Sequence, residues 1–250
     1  MNAETGTGSS WLSHVVELRA WLVRALIAVI VLFAVFAFFS DRLYTLIAEP
    51  MIAALPAGSQ MIATDPLTPF STPLRLALYL AMIAAAPVLL YQAWAFVAPG
   101  LYKREKRVAA PLLVSSVLLF YAGCAFAYFV LLPAMFKFLS MTRPEGVMMM
   151  ADIARYLDFV AVIALASGFS FEVPVAIMIL VLLGWVTPKQ LSEVRGYAVI
   201  AIFVIAMIIT PGDGLSMVMM AIPMCLLYEA GILAARLVAP KDGKPVDAAR

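Results

Sequence analysis

The chain has 250 residues, of which 65% are hydrophobic and 13% charged, and its mean hydropathy is +1.02. That composition excludes an ordinary soluble domain and fits a chain solvated by lipid along most of its course. A net charge of +2, from Lys and Arg scattered along the sequence, excludes a nucleic-acid-binding surface.

The first ten residues, MNAETGTGSS, carry no basic cluster, and the first apolar run follows Arg19 and Arg24 without a small-residue cleavage site. The first helix is therefore expected to stay in the protein. Apolar runs occupy 21–39, 76–99, 108–133, 159–183, 196–210 and 215–235, and a crossing needs roughly 20 such residues. They predict an all-α integral membrane domain of six transmembrane helices over 21–235, after an N-terminal segment 1–20 and before a polar, disordered tail 236–250. An even number of crossings puts both termini on one side. Twelve Lys and Arg flank that side and five the other, so the positive-inside rule makes both termini cytoplasmic.

Between the first two runs, 41–73 holds five prolines around LYTLIAEPMIAAL. Short interfacial helices folded over the bundle are one reading, and an ordinary packed loop is the other. The run 196–210, at about 1.5 Å per residue, falls short of the roughly 30 Å of hydrocarbon. With the tight turn ITPGDG after it, this run and the next predict a short hairpin in a thinned bilayer, or a re-entrant pair. No internal repeat suggests a transporter's inverted halves. Cys124 and Cys225 each lie in an apolar run and read as small buried hydrophobes, not as a disulfide.

Glu172, in FSFEVPVAI at 169–177, is the only charge between positions 159 and 188. A carboxylate at mid-membrane is costly, so its default reading is functional, facing the bundle interior or water. Ala161, Ala164, Gly168 and Ala176 share its helix face, a stripe that admits a neighbouring helix or leaves a groove. Pro174 has no N–H for the carbonyl of Ser170, which predicts a kink within a turn of the acid. The plainer alternative is a protonated or hydrogen-bonded Glu that only packs helices.

Two further acids flank membrane entries: Glu17 in SHVVELRAWLVR, and Glu105 alone among four bases in LYKREKR. The bases of that cluster read as topology. The two carboxylates could instead receive two guanidinium groups through bidentate hydrogen bonds, a geometry lysine does not match.

Several segments resemble the TatC family, the multispanning receptor subunit of the twin-arginine protein translocase. They are SHVVELR at 13–19, EPMIAALPAG at 49–58, MIATDPLTPF at 61–70, APVLLYQAWAFVAPGLYKREKR at 86–107, FYAGCAFAYFVLLP at 120–133, FSFEVPV at 169–175 and TPGD at 210–213. The resemblance runs in order from about 13 to 236. It implies a concave, cupped six-helix bundle in the cytoplasmic (inner) membrane, acting as a twin-arginine signal-peptide receptor and assembly platform. The exporting system carries folded proteins and is driven by the proton-motive force. The implied partners are single-span TatA and TatB, twin-arginine signal peptides and other copies of the same chain, with no cofactor and no metal.

Carried over by position, the resemblance implies that Glu17 and Glu105 bind the signal, with His14, Leu18, Arg19, Lys103 and Phe96 in the same set. Glu172, with Gly168 and Pro174, would line the intramembrane groove. Pro50, Met207, Thr210 and Asp213 would serve partner contacts or assembly. Met217 departs from the glutamine many relatives carry after Ser216, which removes any polar contact made there.

Two other functional classes fit the sequence less well. A secondary transporter or proton channel could use Glu172 as its carrier group, but no second deep acid accompanies it except Glu229 near the end of the last run, where snorkelling to the interface is the simpler account. An intramembrane enzyme lacks its parts: the single histidine, His14, lies outside the apolar runs, and there is no HExxH, GxxxxGK[ST] or GxGxxG pattern.

Overall fold

A computed structural model of the chain describes residues 7–54, 62–63, 65–97, 106–141, 152–210 and 214–238, with backbone alone at 7–18, 48–54, 96–97, 106–109, 139–141 and 215. Apart from one isolated bridge between Ile62 and Asp152, the regular structure among these residues is helical. The first crossing is α1 (Thr7–Phe38), followed by the short α2 (Ser40–Ala54) and the second crossing, α3 (Thr68–Val97). A third joins α4 (Lys106–Phe126) to α5 (Leu132–Met141) through a π-helical turn, Ala127–Leu131. The fourth is split into α6 (Ile153–Phe171) and α7 (Val173–Leu182). After α8 (Pro188–Glu193) come α9 (Arg195–Ile209) and α10 (Gly214–Val238).

Among the described residues, five crossings have the length and apolar composition to span a bilayer, and α9 is a shorter apolar helix. At 15 residues it is only about 22 Å long. The helices outrun the apolar sequence: α3 starts at Thr68 and α5 ends at Met141, because a polar helix end can project from the hydrocarbon with its backbone still paired. Within the segment 41–73, α2 is a 15-residue helix packed on α3.

Local chemistry sets the breaks. Pro174 withholds an N–H from the carbonyl of Ser170, so α6 ends at Phe171 and α7 restarts at Val173, with Glu172 between them. Asp152 caps α6 by accepting from the N–H of Arg155 at 3.0 Å. At the far end of α7, Gly184 takes a positive φ of 72°. Its N–H reaches the carbonyl of Val181 at 3.0 Å, and that of Trp185 reaches Leu180 at 3.1 Å, a Schellman closure that favours glycine. Thr187 and Gln190 then start α8 with a reciprocal capping box.

In lipid, helix association relies on close packing, because the tails are as apolar as the side chains. The largest core cluster joins Leu131, Met135 and Leu157 to Ile202, Ala206, Met220 and Ile232. A smaller one holds Trp94 of α3, Leu112 of α4, and Val175 and Leu182 of α7. Close backbone approaches occur where Gly123 of α4 meets Gly168 of α6, and where Gly231 of α10 meets Pro174 of α7.

At the end of the bundle where α9 begins, Arg195 Nη2 lies 2.8 Å from Glu229 Oε2, the two side chains being 47% and 43% exposed. Tyr228 donates its hydroxyl to the carbonyl of Leu191 at 2.8 Å close by. Glu229 is therefore ion-paired across to α9, not snorkelling alone. Half-exposed pairs contribute about 0–1 kcal/mol, so Glu229→Gln is expected to leave the thermal midpoint of the detergent-solubilised chain within about 2–4 °C of wild type. A larger drop would mean that the pair is desolvated.

Candidate functional site

The site is built where the fourth crossing breaks. Glu172 sits between α6 and α7 with φ −76° and ψ −12°, half-buried. Ser116, buried on α4, donates its hydroxyl to Glu172 Oε2. The other carboxyl oxygen, Oε1, is buried and has no hydrogen-bond partner among the described residues. Ser170, two residues earlier, turns its hydroxyl back to the carbonyl of Ala166 at 2.7 Å and so contributes nothing to the acid. The outcome is a carboxyl group held by one helix through one oxygen, with a second oxygen left to receive a donor.

The small-residue stripe behaves differently along its length. At Gly168 it is closed by α4: a Cβ there would lie 2.8 Å from Phe120 Cε2 and 3.0 Å from Cys124 Sγ. Phe120 also meets Phe169 edge-on, with ring centroids 5.5 Å apart. Toward α7 it opens, since Ala176 is exposed. Gly168 is thus a helix contact, and Pro174 is buried against the backbone approach of Gly231. Cys124 donates weakly to the carbonyl of Ala164 at 3.5 Å.

On α9, Met207 points outward, 60% exposed. Thr210 ends the same helix, buried, and donates its hydroxyl to the carbonyl of Ala206 at 2.7 Å. Its observed work is to close α9. Met217 packs against the main core cluster, an apolar contact.

The residues that the resemblance assigns to signal recognition are only partly in view. His14, Glu17 and Leu18 lie on α1 just before its apolar window, which opens at the exposed Arg19, and of these three only the backbone is described. Phe96, at the end of α3, and Pro50, on α2, are likewise described by backbone alone. Lys103, Glu105 and Asp213 lie outside the described residues. Among the described residues, no group of three His, Cys, Asp or Glu side chains is placed to hold a metal ion.

The sequence pattern of one family, described as Sec-independent protein translocase protein (TatC), matches residues 13–223. The chain belongs to the TatC family. It is 48% identical over 231 residues to the Haemophilus influenzae Sec-independent protein translocase protein TatC, covering 92% of this chain and 90% of that one. Its identity to the Escherichia coli K12 protein of the same name is 49% over 230 residues, 92% of this chain and 89% of that one. The fold matches a crystal structure of the twin arginine translocase receptor TatC with a TM-score of 0.79 and 35% identity, over 90% of this chain and 98% of that one. As a TatC member the chain is a multi-pass membrane subunit of a protein translocase, a transport component and not an enzyme.

Ser116 escaped the sequence reading. A serine pair in the apolar run VSSVLLF was the available signal, because a hydroxyl facing inward from a membrane helix usually has a partner. Gly123, in FYAGCAF, was equally unremarked.

Proposed function

We propose that the chain is the twin-arginine signal-peptide receptor and assembly platform of the Sec-independent translocase, exporting folded proteins across the cytoplasmic membrane under the proton-motive force. The observation that carries this reading is the match, over 90% of the chain, to a solved twin arginine translocase receptor. In this reading both termini are cytoplasmic, and Glu17 and Glu105 on that rim receive the paired guanidinium groups by bidentate hydrogen bonds. His14, Leu18, Arg19, Lys103 and Phe96 flank them. The signal's apolar segment enters the intramembrane groove that Glu172 lines. Single-span TatA and TatB and other copies of the chain assemble around it, with Pro50, Met207, Thr210 and Asp213 serving those contacts.

Photo-crosslinking of a twin-arginine signal peptide, beside its twin-lysine version, to membranes carrying wild type or Glu17→Ala with Glu105→Ala tests the reading. Arginine peptides should crosslink to wild type at least about tenfold better than either control, the worth of one lost charged hydrogen bond. Equal crosslinking in all combinations would move recognition elsewhere.

A further inference from the structure

Two glycine contacts lie on either side of the break at Glu172, and each knits a different half of the bundle. On one side α6 runs against α4 backbone to backbone: a Cβ at Gly123 would stand 2.6 Å from the Ser167 carbonyl oxygen. On the other, α7 runs against α10 in the same way, the Cβ position of Gly231 lying 2.9 Å from the Pro174 Cα. Close backbone approach is what holds helices together in lipid.

The remaining helices sort with these two pairs. α6 packs chiefly on α4 and α3, and α3 carries α1 and α2; α7 packs chiefly on α10, which carries α8 and α9. The fourth crossing thus joins two bodies, and the joint falls where its helix is interrupted. There Pro174 gives no N–H to the carbonyl of Ser170, and the N–H of Glu172 turns back only three residues, to the carbonyl of Phe169 at 3.1 Å.

At the end of the bundle where α6 starts, the main core cluster locks the bodies together, joining Leu131, Met135 and Leu157 to Ile202, Ala206 and Met220. Past the joint they meet differently. Trp94 of α3 and Leu112 of α4 fill the interval to Val175 and Leu182 of α7 with side chains, and Ser116 of α4 donates to Glu172 at the joint itself. Parting apolar side chains in a bilayer exposes them to lipid tails, not to water, so this small cluster resists opening only weakly.

We propose that the fourth crossing is a hinge: α7 to α10 swing as one body about Glu172, opening the interval between α4 and α7 at the end where α7 stops, and the Ser116–Glu172 hydrogen bond is the latch that holds it shut. The inference rests on packing and requires no ligand, so it stands apart from the receptor reading. Any group that donates to Glu172 in place of Ser116 would bias the chain toward the open form.

Fluorine NMR of the full-length chain in lipid nanodiscs, with 5-fluorotryptophan incorporated, each resonance assigned by a Trp→Phe variant and minor states read by saturation transfer, tests the hinge. Trp94 sits in the interval, Trp185 lies just beyond the end of α7, and Trp21 on α1 belongs to the other body. Trp94 and Trp185 should exchange between a major and a minor state with one shared rate and population, while Trp21 gives a single unexchanging line. Ser116→Ala should raise the minor population about tenfold, as expected for the loss of one hydrogen bond to a carboxyl group, and Ser116→Thr should return it to the wild-type level. Pro174→Ala restores the N–H that the Ser170 carbonyl lacks and stiffens the joint without touching the latch, so it should lower the minor population; it also reads the hinge should Ser116→Ala fail to fold. No exchange at Trp94 in the wild type, different rates at Trp94 and Trp185, a Trp21 line that exchanges with them, or a minor population that Pro174→Ala leaves unchanged would each overturn the proposal.

Discussion

Glu172→Lys should reduce export of a twin-arginine reporter at least about a hundredfold, whereas Glu172→Gln should stay within about tenfold of wild type. The carboxyl group accepts from Ser116 through Oε2, while Oε1 is buried and unpartnered. A glutamine carbonyl takes over the first role without adding charge. A lysine can accept nothing from Ser116 and places an unpaired cation at a half-buried position deep in the apolar crossing, which costs several kcal/mol; about 3 kcal/mol is already more than a hundredfold. Ser116 divides the effect further. Ser116→Ala removes the donor, worth about 1–3 kcal/mol at a charged or buried partner, and Ser116→Thr retains a hydroxyl, so threonine should rescue what alanine loses. Export per unit of protein in the membrane is the quantity to measure, with the thermal midpoint alongside, so that a misfolded variant is not scored as an inactive one. Full export by the lysine variant would mean that water reaches the acid freely.

What could be read from residue order alone depended on how local the physics was. Bulk hydropathy and the runs between charges reflect lipid solvation residue by residue, and the all-helical class follows from them. The break at Glu172 was legible because one residue, Pro174, imposes it on the carbonyl four positions back. The shortness of α9 was likewise a matter of counting. Contacts between distant positions were not legible. The spacing of Ala161, Ala164 and Gly168 identified a face but not its occupant, and the structure shows α4 closing it at Gly168. Ser116 and Glu172 are 56 residues apart, and Arg195 and Glu229 are 34 apart. No period along one helix connects either pair. Glu17 and Glu105, proposed here for recognition, could be read from residue chemistry only as candidate guanidinium partners, and it was the resemblance that raised that reading above topology, which a charge at a membrane edge ordinarily marks.

Gly123→Ala should destabilise the chain by about 1–3 kcal/mol, more than the same addition at Gly168 or Gly196, and a leucine there should prevent folding. A Cβ at Gly123 would stand 2.6 Å from the carbonyl oxygen of Ser167 and 2.9 Å from the Cα of Gly168. Both are backbone atoms of α6, so relief requires the helices to separate. At Gly168 the nearest atoms are the Phe120 ring and Cys124 Sγ, side-chain atoms that can turn aside, so Gly168→Ala should cost less. Gly196, with nothing within 4 Å of its Cβ position, sets the baseline, and alanine there should change stability by no more than about 0.5 kcal/mol. Thermal unfolding in detergent should therefore order the variants Gly196→Ala, Gly168→Ala, Gly123→Ala from most to least stable. The order bears on the acid as well. Ser116 and Gly123 lie seven residues, about two turns, apart on one face of α4, so the crossing that Gly123 permits is the one that brings Ser116 to Glu172. If Gly123→Ala melts like Gly196→Ala, α4 does not approach α6 this closely, and the hydrogen bond that holds the carboxyl group fails with it.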